Sequence, residues 1–176
     1  MKFRLQEIPR EEKEFVHVYG ISEVIQALQE RDVKEIHPLE PIEARVRLIR
    51  SEKQVFSRGL IRGKMETTCS RCLGPFAIPI KLEFQQAFLP RTKALNLEEL
   101  ELSADDLDTS YYSGDTLDLN PIIWDELILE IPFIPLCRED CRGLCPMCGA
   151  NLNEGECLCS PPPADSRWEA LRQLKP

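Results

Sequence analysis

Apolar and polar residues alternate along several stretches in the first half of the chain, which predicts β-strands. In "EARVRLIRSEKQVFSRGLIRGK", Val46 and Leu48 alternate with Arg45 and Arg47, a pattern typical of a strand with one buried face. The polar residues 51–54 predict a turn between two strands in this stretch. Two further strands are predicted at "FVHVY" and at "FAIPIKLEFQQAFLP".

Two helices are predicted from a different apolar spacing. In "ISEVIQALQER" the apolar residues Val24, Ile25 and Leu28 share one helical face, and Ser22 is a candidate N-cap. In "NPIIWDELILEIP" the predicted helix covers residues 121–131, with Asn120 as N-cap, Pro121 at the first helical position and Pro132 marking the end. The residues of this helix expected to face the core are Trp124, Leu127, Ile128 and Ile131.

The chain of 176 residues is long enough for one domain with its own core. We predict an α+β fold in which an antiparallel, partly barrel-like sheet carries a few helices and a Cys-rich, zinc-binding C-terminal lobe. The predicted parts are an α+β core domain at 1–136, a zinc-binding segment packed on the core at 137–160, and a linker with a short C-terminal helix at 161–176. That last helix, "SRWEALRQLK", would present Trp168, Leu171 and Leu174 on one side.

The sequence also predicts the cellular compartment. No apolar run approaches the roughly 18 to 20 residues that a membrane span requires, and the first residues lack the apolar centre of a signal peptide. We therefore expect a cytoplasmic protein with no membrane partner. In a reducing compartment, cysteines crowded at short spacings are more often metal ligands than disulfide partners.

Eight cysteines form the strongest chemical signal in the chain. Six of them lie in "CREDCRGLCPMCGANLNEGECLC", which covers residues 137–159, and two lie upstream in "CSRC". "CSRCLG" and "CPMCG" are CxxC turns closely followed by glycine, a pattern typical of a zinc knuckle. Both sulfurs can face one ion, and we expect Gly74 or Gly149 to relieve the tight backbone. The first two of the remaining four are spaced as neighbours on one helical turn, and the last two point to the same side of an extended segment. The predicted ligands are Cys69, Cys72, Cys137, Cys141, Cys145, Cys148, Cys157 and Cys159.

Eight thiolates predict two zinc ions, each held by four sulfurs. We expect Cys69 and Cys72 to join Cys137 and Cys141, and the other four cysteines to form a local site; a rival grouping pairs Cys69 and Cys72 with Cys145 and Cys148. An iron–sulfur cluster is an alternative, although the cysteine spacings do not match a ferredoxin. A site with four thiolate ligands has no open position for an activated water, so we expect the metal to support folding. No catalytic residue, phosphate-binding loop or small-molecule substrate is indicated, and we expect a protein that is not an enzyme.

Charge is distributed unevenly, although the net charge is −8. Residues 98–130 contain eleven acidic residues and no Lys or Arg. Residues 45–64 contain seven bases against Glu52 alone. These bases are the candidate RNA-binding residues: Arg45, Arg47, Arg50, Lys53, Arg58, Arg62 and Lys64.

This polarity supports two non-enzymatic interpretations. In the first, the basic strands contact phosphates of an RNA. In the second, the acidic segment imitates RNA and holds a basic protein. Both charged regions are also compatible with ordinary solvated surfaces. The basic stretch lacks exposed Phe or Tyr interleaved with the bases, as single-strand stacking platforms have, so sequence-specific reading of RNA is not indicated. A metal-linked nuclease or redox enzyme is a third hypothesis and would need an open metal position or an easily reduced thiol pair.

Four motifs together resemble the YceD family, the large ribosomal RNA subunit accumulation proteins. They are "CSRCLGPF", "DELILEIPFIPLCREDCRGLCPMCGANLN", "CLC" and "DSRWEALRQL", and the resemblance covers the chain from about residue 44 to its end. One departure is Ser166, where the common motif has proline before the Arg-Trp pair. The resemblance implies a bacterial cytoplasmic factor, also found in chloroplasts, that supports accumulation of large-subunit (23S) ribosomal RNA. The implied partner is ribosomal RNA or a pre-ribosomal particle, with a basic ribosomal protein as an alternative.

Overall fold

The computed structural model describes residues 1–91 and 109–159. Within these residues the chain forms eight β-strands, two α-helices and a short 3-10 turn at Leu5–Glu7. The helices are α1 (Ile21–Gln29) and α2 (Asn120–Leu129). The strands are β1 (Lys2–Arg4), β2 (Lys13–Tyr19), β3 (His37–Pro38), β4 (Ile42–Ser51), β5 (Gln54–Thr68), β6 (Pro75–Pro90), β7 (Thr109–Tyr112) and β8 (Thr116–Asp118).

Strands β4, β5 and β6 form an antiparallel meander that is the centre of the structure. The turn between β4 and β5 is Glu52–Lys53, where the alternation of the sequence breaks, and Glu52 has a φ of 54°. The register places Arg47 opposite Arg58, and Arg58 opposite Gln85. Because side chains alternate between the two faces of a strand, this register aligns one apolar face and one polar face across all three strands.

The main sheet is open, so the expectation of a partly barrel-like sheet is wrong. Six strands run in the order β2-β4-β5-β6-β7, with β3 pairing alongside β5, and the end strands β2 and β7 do not pair with each other in the described part of the chain. The sheet is also not wholly antiparallel, since β7 runs parallel to β6. A barrel buries its core by closing on itself. Here α1, α2 and the small β1–β8 sheet provide core residues instead, so closure is not required.

The core lies against one face of the sheet, which we call the inner face. Val46 and Leu48 from β4 and Ile61 from β5 are fully buried there, together with residues from both helices. Gly59 leaves the space that the Phe84 ring occupies, because a Cβ on this glycine would lie 1.9 Å from a ring carbon. The core face of α1 is as predicted, with Val24 and Leu28 buried.

The helix starts differ from those predicted. Gly20 occupies the N-cap position of α1, and the expected cap Ser22 lies inside the helix. Leu119 is the N-cap of α2, while Asn120 is its first residue and uses its side-chain oxygen to accept a hydrogen bond from the Tyr19 hydroxyl at 2.8 Å. The Asn120 side chain, predicted to cap the helix locally, instead forms a tertiary hydrogen bond between α2 and β2.

The apolar side of α2 also differs in detail from the predicted set. Trp124 and Leu127 are buried as expected, Ile123 is buried in addition, and Ile131 lies beyond the helix end. None of the helices in the described residues is long and apolar enough to cross a membrane. The predicted C-terminal helix with Trp168, Leu171 and Leu174 lies outside the described residues.

Candidate metal centres and nucleic-acid interface

The first CxxC motif forms the tight turn that connects β5 to β6. The Cys69 N–H donates to the Gly74 carbonyl at 2.9 Å, and the Leu73 N–H donates to the Cys69 carbonyl at 2.9 Å. The sequence assigned the strained backbone position to glycine, but it is Leu73 that has the left-handed conformation, with a φ of 56°. The turn holds Cys69 and Cys72 at one end of the central hairpin.

Hydrogen bonds bring the segment after α2 to this turn. The Ser70 N–H donates to the Pro135 carbonyl at 2.8 Å, and the Arg71 guanidinium donates to the carbonyls of Glu139 and Cys141 at 3.0 and 3.1 Å. Gly143 also fits tightly here, because it has a φ of 73° and an added Cβ would lie 3.1 Å from the Arg71 carbonyl oxygen. The segment after α2 is thus held against the β5–β6 turn by contacts between residues far apart in sequence.

Four sulfurs meet at this junction and form the set that we call site 1. The Sγ atoms of Cys69 and Cys141 are 3.8 Å apart, as are those of Cys72 and Cys137. All four lie within 4.8 Å of one another. The predicted helical turn between Cys137 and Cys141 is absent; the Cys141 N–H donates to the Arg138 carbonyl at 3.2 Å in a non-helical turn.

The other four cysteines form site 2 around the second CxxC motif. The Cys145 N–H donates to the Ala150 carbonyl at 2.8 Å, and the Gly149 N–H donates back to the Cys145 carbonyl at 2.9 Å. Gly149 has a φ of 74°, so the glycine predicted to relieve this turn does so. The sulfurs of Cys145, Cys148, Cys157 and Cys159 all lie within 4.8 Å of one another.

This division into two sets is the one favoured from the sequence, and the rival grouping of the two CxxC motifs is not the one in the structure. The distances fit single ions. Four sulfurs bound tetrahedrally at about 2.3 Å from one Zn²⁺ are about 3.8 Å apart, which matches the closest pairs in site 1. An iron–sulfur cluster places several iron atoms between its thiolates and would spread them farther apart. Each set can therefore hold one metal ion with four thiolate ligands.

The thiols of each set differ in acidity. Backbone N–H groups lower the pKa of Cys69 to about 6 and that of Cys145 to about 6. Burial raises the pKa of Cys137 to about 12, and the neighbouring Cys148 thiol raises that of Cys159 to about 12. Cys137 and Cys159 therefore favour the neutral thiol, and a bound cation would favour their ionised forms.

The seven predicted RNA-binding residues divide between different parts of the structure. Arg50 belongs to the inner face, where its Nε is buried and has no hydrogen-bond partner in the described part of the chain. Lys53 lies in the turn, where its carbonyl accepts a hydrogen bond from the Tyr112 hydroxyl at 2.6 Å. The remaining five lie on the solvent side of β4 and β5, which with the adjacent strands we call the outer face: Arg45, Arg47, Arg58, Arg62 and Lys64.

Sequence reasoning missed Lys81, which belongs to the same outer face. It lies on β6 opposite Arg62. The signal was present in "IPIKLEF", where Lys81 alternates with buried Ile80 and Leu82. Strand pairing places Lys81 beside the other bases of the outer face. It stands apart from them in the sequence, so a run of bases along the chain does not include it.

Acidic side chains neutralise only part of the outer face. Glu43 contacts Arg45 at 2.7 Å and Glu14 contacts Arg47 at 3.2 Å. The hydrogen bond from Arg45 lowers the pKa of Glu43. Glu83 lies opposite Leu60 on the same face. Within the described residues, four bases of the outer face form no ion pair: Arg58, Arg62, Lys64 and Lys81.

The outer face also carries an exposed aromatic side chain, which the sequence analysis did not find. Phe56 is 44% exposed and follows the same alternation as Arg58. A cleft of about 460 Å³ opens beside it and is bounded by both Arg47 and Arg58. The expectation that the basic strands lack an interleaved aromatic residue is therefore wrong.

Comparison with known proteins agrees with these features. The family model for the large ribosomal RNA subunit accumulation protein YceD matches residues 58–175, which include all eight cysteines. The chain belongs to the YceD family. The match begins within β5 and so covers the hairpin and both sulfur sets of this YceD family member, but not β2 or β4.

Individual relatives span several groups of organisms. An uncharacterized protein of Mycobacterium tuberculosis is 33% identical over 98 residues, which cover 56% of this chain and 45% of that protein. An uncharacterized protein of Bacillus subtilis, YlbN, is 26% identical over 148 residues, covering 84% and 78%. The chloroplastic YCED homolog 1 of Arabidopsis thaliana, named a large ribosomal RNA subunit accumulation protein, is 27% identical over 174 residues, covering 82% and 52%. The chain spans about half the length of the mycobacterial and Arabidopsis relatives. No solved structure gives a significant match.

Proposed function

We propose that this chain supports accumulation of large-subunit (23S) ribosomal RNA by binding the RNA, or a pre-ribosomal particle, through the outer face of its sheet. It acts in the cytoplasm without catalysing a reaction. The observation that carries the proposal is the alignment of six basic side chains on one solvent-exposed face, four of which form no ion pair within the described residues. Unpaired surface bases are the groups that displace counterions from a phosphate backbone.

Family membership supports the biological role, since the family model and the Arabidopsis relative carry the description of large ribosomal RNA subunit accumulation. The geometry supports a binding role because the bases of the outer face spread over three adjacent strands. The clefts on this face are bounded by arginines, glutamines and the exposed acids Glu12, Glu14 and Glu83, and no buried acid–base pair lines them within the described residues. Such a surface suits an extended polyanion better than a small-molecule substrate.

Two zinc ions, one in each sulfur set, complete the proposal. All-thiolate tetrahedral sites are typical of structural zinc, and the 3.8 Å sulfur separations suit that ion. Zinc in site 1 would fasten the end of the β5–β6 hairpin to the segment after α2. The metal would thereby hold the basic sheet and the Cys-rich segment in one arrangement, and would supply no reactive water.

The alternative function, a carrier of a basic ribosomal protein through the acidic segment, has weaker support. Two acids of this segment in the described residues already form ion pairs, Asp118 with Lys2 and Asp125 with Arg31. Six others lie outside the described residues: Glu98, Glu99, Glu101, Asp105, Asp106 and Asp108. Nothing in the described geometry gathers the acids into a binding surface.

RNA binding by the full, zinc-loaded chain tests the proposal. We expect fragments of large-subunit ribosomal RNA to bind with an affinity that falls as salt concentration rises. The double variant Arg58→Gln and Arg62→Gln should bind more weakly and reduce the slope of log affinity against log salt by about 1.4 to 1.8, because two phosphate contacts are lost.

A matched control changes the same charge elsewhere. Lys2 and Lys34 are exposed and lie outside the main sheet, so replacing both with Gln should leave RNA affinity and the salt slope nearly unchanged. Equal losses in the two double variants would show that only net charge matters. No RNA binding by the unmodified chain would overturn the proposal and leave the carrier function to be tested with a basic ribosomal protein.

A further inference from the structure

The cleft beside Phe56 combines an aromatic ring, two guanidinium groups and a side-chain amide. Phe56 lies between Ile49 and Ala87 in the register, and Arg58 is the next outward residue along β5. Arg47 and Gln85 lie on either side of Arg58, on β4 and β6. All these residues bound the cleft of about 460 Å³.

The sheet leaves part of this ring accessible. Phe56 is 44% exposed, and its β6 neighbour Ala87 is too short to extend across a phenyl ring. Successive outward residues on a strand are about 7 Å apart, so the Arg58 guanidinium reaches the space beside the ring. An aromatic surface within reach of unpaired cationic groups is the arrangement by which proteins hold single-stranded nucleic acid.

We propose that the Phe56 ring stacks on an unpaired nucleobase of the bound RNA, while Arg47 and Arg58 contact the phosphates next to that base. Gln85 faces the same cleft, where its amide can donate to or accept from the polar edge of the base. This inference rests on the proposed RNA-binding function and adds a preference: the outer face selects single-stranded or looped RNA over a continuous duplex. In a duplex the π-face of each base is covered by its neighbours, so the ring has nothing to stack on.

Charges around the cleft suggest how the strand runs. Glu12 bounds the cleft and would repel a phosphate. Arg47 is held by Glu14 at 3.2 Å, whereas Arg58 forms no ion pair in the described residues. The phosphate backbone should therefore lie over Arg58, whereas the adjoining depression of about 360 Å³ combines Arg45, Arg47 and Arg58 with the acids Glu14 and Glu83.

The experiment compares two probes, an unstructured oligouridine RNA and a perfect RNA duplex of the same length. Phe56→Leu keeps an apolar side chain but removes the aromatic face. It should weaken oligouridine binding about 5- to 150-fold and leave both the duplex affinity and the salt slope unchanged. Phe56→Tyr should restore most of the oligouridine affinity because the aromatic face returns.

Val18→Ala is the matched control, since Val18 is 55% exposed on the same outer face but does not bound the cleft. It should change neither affinity. The inference is overturned if Phe56→Leu binds oligouridine as tightly as the unmodified chain, or if it weakens oligouridine and duplex equally. If the unmodified chain binds neither RNA, both the inference and the proposed function fail. Because Phe56 is exposed, circular dichroism and metal content should match between variant and unmodified chain.

Discussion

The side-chain amide of Asn153 donates a hydrogen bond to the sulfur of Cys141 across 3.4 Å. Asn153 belongs to the loop of site 2, whereas Cys141 is one of the four cysteines of site 1. The side-chain oxygen of Asn153 accepts hydrogen bonds from the Arg138 guanidinium at 2.6 Å and from the Arg142 N–H at 2.9 Å. The loop folds back through a further hydrogen bond, from the Leu152 N–H to the Gly143 carbonyl at 2.9 Å. One asparagine thus connects the two sulfur sets without being a ligand of either.

Removing this connection should weaken metal binding at site 1. In Asn153→Ala the Cys141 thiolate loses a donor that stabilises its charge, and hydrogen bonds of this kind are typically worth 10- to 100-fold in metal affinity. Competition with a chromophoric chelator should show one of two ions released more readily. Glu154→Gln is the control, because the Glu154 carboxylate accepts a hydrogen bond from the Asn151 amide and glutamine can still accept that bond. Identical release from both variants would contradict a role for Asn153.

Loss of either metal site should reduce the zinc content to about one equivalent, but the effects on stability should differ. The double variant Cys72→Ser and Cys137→Ser removes a connection between residues that are 65 apart in sequence. Cys148→Ser with Cys159→Ser affects only the local loop. Loop-closure entropy alone makes loss of the first pair about 1.6 kcal/mol more destabilising than loss of the second. Elemental analysis and denaturant unfolding measure the two quantities. Equal destabilisation would show that site 1 does not join the hairpin to the later segment.

Gly59→Ala should destabilise the core. The added Cβ would lie 1.9 Å from a carbon of the Phe84 ring, so the ring must move out of a packed position. Overpacking of this kind costs about 1 to 3 kcal/mol, measurable as a lower midpoint of urea unfolding. Gly155→Ala is the control, because no described residue lies within 4 Å of the position of its Cβ. If both variants unfold at the same urea concentration, the packing of the Phe84 ring does not require a glycine at position 59.

Tyr19 should make stability sensitive to alkaline pH. Burial raises its pKa above the ordinary value of 10. A group whose pKa is raised by folding contributes stability that is complete below the unfolded pKa and is lost as pH rises toward the folded pKa. At neutral pH, Tyr19→Phe should cost about 1 kcal/mol because the hydrogen bond to Asn120 is lost.

Above pH 10 the unfolding free energy of the unmodified chain should fall by about 1.4 kcal/mol per pH unit relative to that of Tyr19→Phe. The stability difference between the two chains therefore shrinks and then reverses. Unfolding free energies measured from neutral pH to beyond pH 10 test this. Tyr111→Phe, at a position 41% exposed, should follow the unmodified chain across the range. A constant difference between Tyr19→Phe and the unmodified chain at all pH values would contradict the expected coupling.

Much of the local structure was predictable because it depends on neighbours in sequence. The alternation around Val46 and Leu48 predicted β4 and its inner face, and the polar residues after it predicted the turn at Glu52–Lys53. The backbone strain at Gly149 was also predictable, since a CxxC turn followed by glycine closes within a few residues. The helix caps were not, because the Asn120 side chain is engaged by Tyr19, a residue on β2 that no local rule associates with it.

The sequence by itself determined the alternating strands, the two helices, the number of thiols and the closed, four-sulfur character of any metal site, since each follows from residue type and short-range spacing. Tertiary structure alone decided that the sheet stays open, that Arg50 is on the inner face while Lys81 joins the bases of the outer face, and that Phe56 borders a cleft with Arg47 and Arg58. It also decided that Asn153 contacts Cys141. The physical reason is register: strand pairing and loop packing set which distant residues become neighbours, and they are fixed by burial summed over the whole core.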